Sequence, residues 1–205
     1  MRKFAVVAAV FAFSLLANLA FAQQGDVMLG FGTIMAPSTN SSSCVISLNS
    51  GCIGPEKGGL YPAISADVIF HRRIGFNFEA TWRGKQGITN DDSQLYRPIQ
   101  FDFNGVYQPR LGKKIGLDLM GGIGWQTTRF YQYTYTVDCL DFNACYVSNN
   151  HFLVHVGGGL RYYVWGHMFI RPEAHFYNIL NNSDRFTNNN VLRVGASIGY
   201  TIGPD

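Results

Sequence analysis

The strongest constraint on this chain is a repeated alternation. After residue 22 it holds eight segments in which apolar and polar residues alternate with period 2, at approximately 26–35, 60–70, 76–84, 96–107, 114–126, 151–164, 168–178 and 191–202. Period 2 belongs to strands with two unlike faces, and none of these segments carries the 3.6 period of a helix. The run HFLVHVGGGLRYYVWGHMFIRPEAHFYN at 151–178 shows the problem this poses. One face presents Phe152, Val154, Val156, Leu160, Tyr162, Ile170, Ala174 and Phe176. The other presents His155, Arg161, Arg171, Glu173, His175 and Tyr177. In water the apolar face is the core. If the charged face is the core, the surrounding solvent must be lipid.

The connections decide between these. They are long after the odd segments, at 36–59, 85–95, 127–150 and 181–190, and short after the even ones, at 71–75, 108–113 and 165–167. This is the sorting of a barrel whose strands start on the periplasmic side, with long loops outside and short turns inside. A soluble sandwich has no reason to sort its loops. The polar face mixes glycines with Asp67, Glu79, Arg83, Asp102, Asp118, His155, Arg161, Arg171, Glu173, His175 and Arg193. An eight-stranded barrel is just wide enough for side chains to fill it. Charges buried there must be paired, so such a polar interior network needs both signs. Aromatics stand near the strand ends of the apolar face: Trp82, Tyr96, Tyr107, Trp125, Tyr162, Trp165 and Tyr200. Such girdles belong at membrane interfaces. The expected fold is therefore all-β, an eight-stranded antiparallel up-and-down transmembrane β-barrel with its charged face inside.

The amino terminus fits that destination. Arg2 and Lys3 precede an apolar run from residue 4 to 19, closed by Ala20-Phe21-Ala22. This is the pattern of a secretory signal peptide over 1–22, leaving 23–205 as the barrel domain. No Cys follows the cleavage site, which argues against a lipoprotein. Without Arg2 and Lys3, 14 basic residues face 13 acidic ones, and such a balance offers nothing to nucleic acid. The four cysteines, Cys44, Cys52, Cys139 and Cys145, all fall in long loops, and their spacings match no zinc or redox signature. In an exported chain disulfides are the default. Local pairs, Cys44–Cys52 and Cys139–Cys145, are the simplest arrangement, and the two connectivities that link the loops stay open.

The stretch GGGLRYYVWGHMFIRPEAHFY at 157–177 resembles the outer-membrane barrel domain of OmpA- and OmpX-like proteins. The last strand, Arg193-Val-Gly195-Ala-Ser-Ile198-Gly-Tyr200, resembles the signal read by the barrel-assembly machinery, although Thr-Ile-Gly-Pro-Asp follows where such barrels often end on an aromatic residue. The resemblance implies residence in the outer membrane, among its lipid and lipopolysaccharide. A monomer is expected, and no cofactor or metal.

No catalytic set emerges. None of His71, His151, His155, His167 and His175 has Ser two residues on, the arrangement of barrel-shaped lipid A deacylases. Asp92-Ser93 and His151 are the residues that a palmitoyltransferase-like barrel could use, but loops are rich in Asp and Ser by default. Tyr131, Tyr133 and Tyr135 either form a binding surface or extend a hairpin above the membrane. The expected role is non-enzymatic, structural or interactive. The alternatives are a narrow pore or carrier for small hydrophobic compounds, a lipid A-modifying barrel enzyme, or a soluble barrel of lipocalin type.

Overall fold

The computed structural model describes residues 24–36, 55–71, 73–88, 95–131, 146–182 and 186–203. The signal segment, the four cysteines, Asp92-Ser93, Tyr133 and Tyr135 lie outside the described residues. Nine strands run in order: β1 (Gln24–Met35), β2 (Tyr61–His71), β3 (Ile74–Trp82), β4 (Gly87–Ile88), β5 (Leu95–Tyr107), β6 (Ile115–Tyr131), β7 (Tyr146–Trp165), β8 (Met168–Ile179) and β9 (Asn190–Ile202). Eight are long, and the two-residue β4 prolongs the β3 edge against Tyr96 and Leu95. Every long strand pairs antiparallel with its neighbours in sequence, β3 pairs β5, and β1 pairs β9, so the sheet closes. No helix occurs among the described residues. Closure leaves no unpaired long edge, which is the condition for crossing lipid with strands.

The alternation explains the wall. Along β5, Gln100, Asp102 and Asn104 are buried, while Phe103 and Tyr107 are exposed. Outward apolar side chains stand free all round: Leu29 is 63% exposed, Val156 60% and Ile123 54%. A water-soluble protein does not present such a belt, because each of these groups gains by leaving water. Inside, Arg171 and His175 are fully buried and Arg193 is 1% exposed. The charged face is the core and the apolar face is the outside.

The short turns lie at the end where β1 begins and β9 finishes. At Trp165-Gly166-His167-Met168, Trp165 pairs Met168 and Gly166 has φ 51°, a left-handed conformation that glycine adopts without a Cβ clash. At the opposite end β6 and β7 run past the expected boundaries. Residues 127–131 pair with 146–150, including Tyr131 with Tyr146, so this hairpin stands above the barrel rim.

Candidate functional site

The lumen is held by three arginines. Arg161, on β7, donates from Nε to Asp118 Oδ1 at 2.8 Å, from Nη1 to Asp26 Oδ2 at 2.6 Å and from Nη2 to Asp67 Oδ2 at 2.7 Å. Its guanidinium also lies 4.4 Å over the Phe169 ring. One cation thus ties β1, β2 and β6 to β7. Arg171 donates to Glu173 Oε2 at 2.8 Å and to Asp118 Oδ2 at 3.0 Å. Arg193 donates to Glu79 and approaches Glu173 Oε1 at 3.5 Å. Each guanidinium meets at least two carboxylates, as a planar multi-donor fork allows.

Amides and hydroxyls complete the lattice. Asn77 donates to Asp67 Oδ1 at 2.6 Å, Asn104 donates to Asp102 and to Asn77 Oδ1, and Gln108 reaches up from the β5–β6 turn to Asp67 Oδ2 at 2.8 Å. Ser197 Oγ donates to Glu173 Oε2 at 3.1 Å, and Tyr177 to Glu79 Oε1 at 3.3 Å. His155 and His175 are stacked at 5.1 Å between ring centroids. His155 Nδ1 is 2.7 Å from Asn104 Oδ1 and donates to it, so Nε2 accepts from His175 Nδ1 at 3.0 Å. His175 Nε2 then faces Glu173 Oε1 at 3.5 Å.

Room for this lattice comes from glycine. A Cβ on Gly157 would stand 2.8 Å from His155 Nε2 and 2.9 Å from His175 Nδ1, and one on Gly159 would stand 2.7 Å from Arg171 Cγ. Glycine here makes space rather than a phosphate-binding turn, because the segment lies within strand β7. Glu79, Glu173 and His175 present ligand atoms within 4.8 Å of one another. Arg193 already sits against both carboxylates, and a second cation beside a buried guanidinium would meet like-charge repulsion. The group reads as part of the ion-pair lattice.

The outer mouth is closed differently. Glu56, from the segment before β2, is fully buried and accepts from Gln126 Nε2 at 3.0 Å, while its backbone N–H donates to Asn188 Oδ1 at 2.9 Å. Gln100 donates to Gln126 Oε1 at 2.8 Å, and Asn182 to the Asn188 carbonyl at 2.9 Å. Burial pushes the Glu56 carboxyl up to about 7, against the opposing pull of its bonds from Gln126 and Asn182. Phe186 folds in beside it, 5.1 Å from the Tyr96 ring and 6.1 Å from the Phe130 ring.

No protein-family model and no curated protein matches the sequence. Solved structures do match. Ail, the attachment invasion locus protein of Yersinia pestis, aligns with a TM-score of 0.54 at 10% identity, over 87% of this chain and 98% of its own. Neisserial surface protein A aligns with a TM-score of 0.55 at 10% identity, over 86% and 95%. The outer membrane protein OprG from Pseudomonas aeruginosa gives 0.50 at 12% identity, over 89% and 97%. This chain folds as an outer-membrane β-barrel.

Within that barrel, Asp67, Glu79, Asp102, Asp118, His155, Arg161, Arg171, Glu173, His175 and Arg193 all point into the lumen and are buried. Arg83 stands apart from the lattice. Strand β3 ends at Trp82, so Arg83 lies at the outer rim, donating to Tyr96 Oη at 2.8 Å and to the Lys57 carbonyl at 3.3 Å. Tyr96 also corrects the expectation of an outward girdle position. It shares a face with Pro98, Gln100 and Asp102, is 4% exposed, and packs against Phe186. His151 bonds through Nδ1 to the Leu180 carbonyl at 3.1 Å. Three parts of the site were not foreseen: Asp26, Gln108 and the Glu56–Phe186 closure. Asp26 was within reach, since it alternates with Val27, Leu29 and Phe31 as Asp67 does with Val68.

Proposed function

We propose that this barrel is a non-enzymatic outer-membrane protein with a structural and surface-interaction role: a closed anchor that presents its long outer loops. The observation that carries this is the filled lumen. Three buried arginines are locked onto five lumen carboxylates, and Glu56 and Phe186 close the outer mouth above them. Among the described residues the lumen is filled by this lattice, and its charged groups are engaged with one another rather than poised on a substrate. That weighs against the narrow pore or carrier and against a lipid-modifying enzyme. The resemblance of the last strand to an assembly signal supports delivery by the barrel-assembly machinery. The four cysteines then belong to the long connections that it presents.

Reconstitution into planar lipid bilayers tests this directly. The expected result is no sustained conductance steps, together with protease cleavage of the long loops on intact cells. Steady ion-selective steps from the purified barrel would replace this reading with the pore.

A further inference from the structure

The outer wall carries a groove near its inner end. It measures about 380 Å³ and is lined by Ile74, Gly105, Tyr107, Leu119 and Gly121 at the junction of β3, β5 and β6. Its floor is the backbone at Gly105 and Gly121, which face each other in register on the lipid side. Crowding does not require glycine there. A Cβ on Gly105 would meet nothing closer than 3.8 Å, and one on Gly121 nothing closer than 3.6 Å. By contrast, Gly122 and Gly124 on the same strand would each place a Cβ 2.0 Å from a carbonyl oxygen of β5.

The charge below the groove is one-sided. Tyr107 pairs Ile74, and the Gln108 N–H donates to the Arg73 carbonyl at 2.9 Å, so the β2–β3 and β5–β6 turns are joined directly beneath it. Among the described residues, these two turns present the exposed side chains of Arg73, Lys113 and Lys114 and no acidic residue. The long outer connections carry four basic residues against six acidic ones. Basic clusters at the edge of an apolar membrane surface recognise anionic lipid headgroups.

We propose that the groove and the two turns form a site for one anionic glycerophospholipid of the inner leaflet. An acyl chain lies over Gly105 and Gly121 between Ile74, Tyr107 and Leu119. The headgroup phosphate meets Arg73, Lys113 and Lys114. Charge complementarity selects this occupant, because a neutral lipid or a second barrel would bring no anion to Arg73, Lys113 and Lys114.

The test is native mass spectrometry of the folded barrel in neutral detergent, titrated with phosphatidylglycerol or phosphatidylcholine. The wild type is expected to retain one phosphatidylglycerol in preference to phosphatidylcholine. Gly105→Leu and Gly121→Leu fill the groove and should each lower that retention about ten-fold, with the heat-modifiable gel shift confirming a folded barrel. The double variant Lys113→Gln/Lys114→Gln changes only exposed turn residues, so it tests the idea even if a glycine variant fails to assemble. It should abolish the preference for phosphatidylglycerol over phosphatidylcholine, a loss on the order of ten-fold for two cations near an anionic headgroup. Equal retention of both lipids by the wild type overturns the site. So does a double variant with the wild-type preference, or a barrel that retains lipopolysaccharide or a second copy of itself in place of phospholipid.

Discussion

In the middle of the lumen both members of each ion pair stand on strands, whereas the outer mouth is closed by residues that connecting segments bring in. Arg161 and its partners Asp26, Asp67 and Asp118 belong to β7, β1, β2 and β6, whose register is set by the ladder. Glu56 and Phe186 belong to connections, held by amide bonds from Gln126 and Asn188 and by ring contacts with Tyr96 and Phe130. The first arrangement forms only when the barrel closes, so its pairs report global stability. The second can open while the barrel stays intact, so its bonds report local stability.

The largest effect expected is therefore from Arg161→Met. It leaves three buried carboxylates without their shared cation, and breaking a buried pair in this way costs about 3–5 kcal/mol. Urea unfolding in detergent, read by the heat-modifiable shift, should show a large fall in midpoint. A small fall would mean that the lumen closes without Arg161 and that the contrast drawn here is false.

Next comes the mouth, and its signature is pH. Glu56 titrates at about 7 in place, against 4.5 for a free glutamate. Between those values the closed mouth binds more protons than the open one, so closure weakens as pH rises through the window and levels off above it. The full difference is on the order of 3 kcal/mol. Hydrogen exchange at 55–60 and 186–190 should accelerate between pH 5 and 8, after correction for intrinsic rates. Glu56→Gln should remove that dependence while leaving the global midpoint nearly unchanged. Exchange that follows the global midpoint instead would merge the two regions into one cooperative unit.

How far each region could be read from sequence follows from the same difference. Strand parity reports which way a side chain faces, so Asp67, Asp118, Arg161 and Arg193 were legible, and Asp26 follows the same rule. Tyr96 was misread because its place near a strand end was given more weight than its parity with Gln100 and Asp102. Arg83 has the polar parity, but β3 stops one residue earlier, and alternation does not mark where a strand leaves the bilayer. The partners of each charge depend on barrel shear, and alternation along single strands does not carry shear. Glu56 and Phe186 have no periodic signal at all. Their contacts join segments distant in sequence, as Glu56 does with Gln126, 70 residues on, and with Asn188, 132 residues on.

A smaller effect separates space from charge inside the lumen. Gly159→Val would press a side chain against Arg171, where a Cβ alone stands 2.7 Å from Cγ. Overpacking of this kind costs about 1–3 kcal/mol. The urea midpoint should fall by less than in Arg161→Met, because Arg171 keeps its carboxylates if it can shift along the lumen. An equal fall would mean that Arg171 cannot move and that packing, as much as pairing, holds the lattice.

The smallest effect belongs to Arg83, and it tests whether a charge of the right parity counts when it sits at the rim. Its half-buried guanidinium lies 5.1 Å from the Tyr96 ring centroid and bonds Tyr96 Oη. Cation–π contacts at such sites contribute about 0.5–1 kcal/mol. Arg83→Met should leave the urea midpoint almost unchanged and modestly speed exchange at 55–60, since the Lys57 carbonyl loses a donor. Arg83 and Arg161 are the same residue type with the same inward parity. If Arg83→Met matched Arg161→Met in global stability, membrane depth would be irrelevant and the rim would belong to the lattice. If it changes only local exchange, the boundary between the two regions lies between Glu79 on β3 and the end of that strand at Trp82, about one turn of the alternation below Arg83.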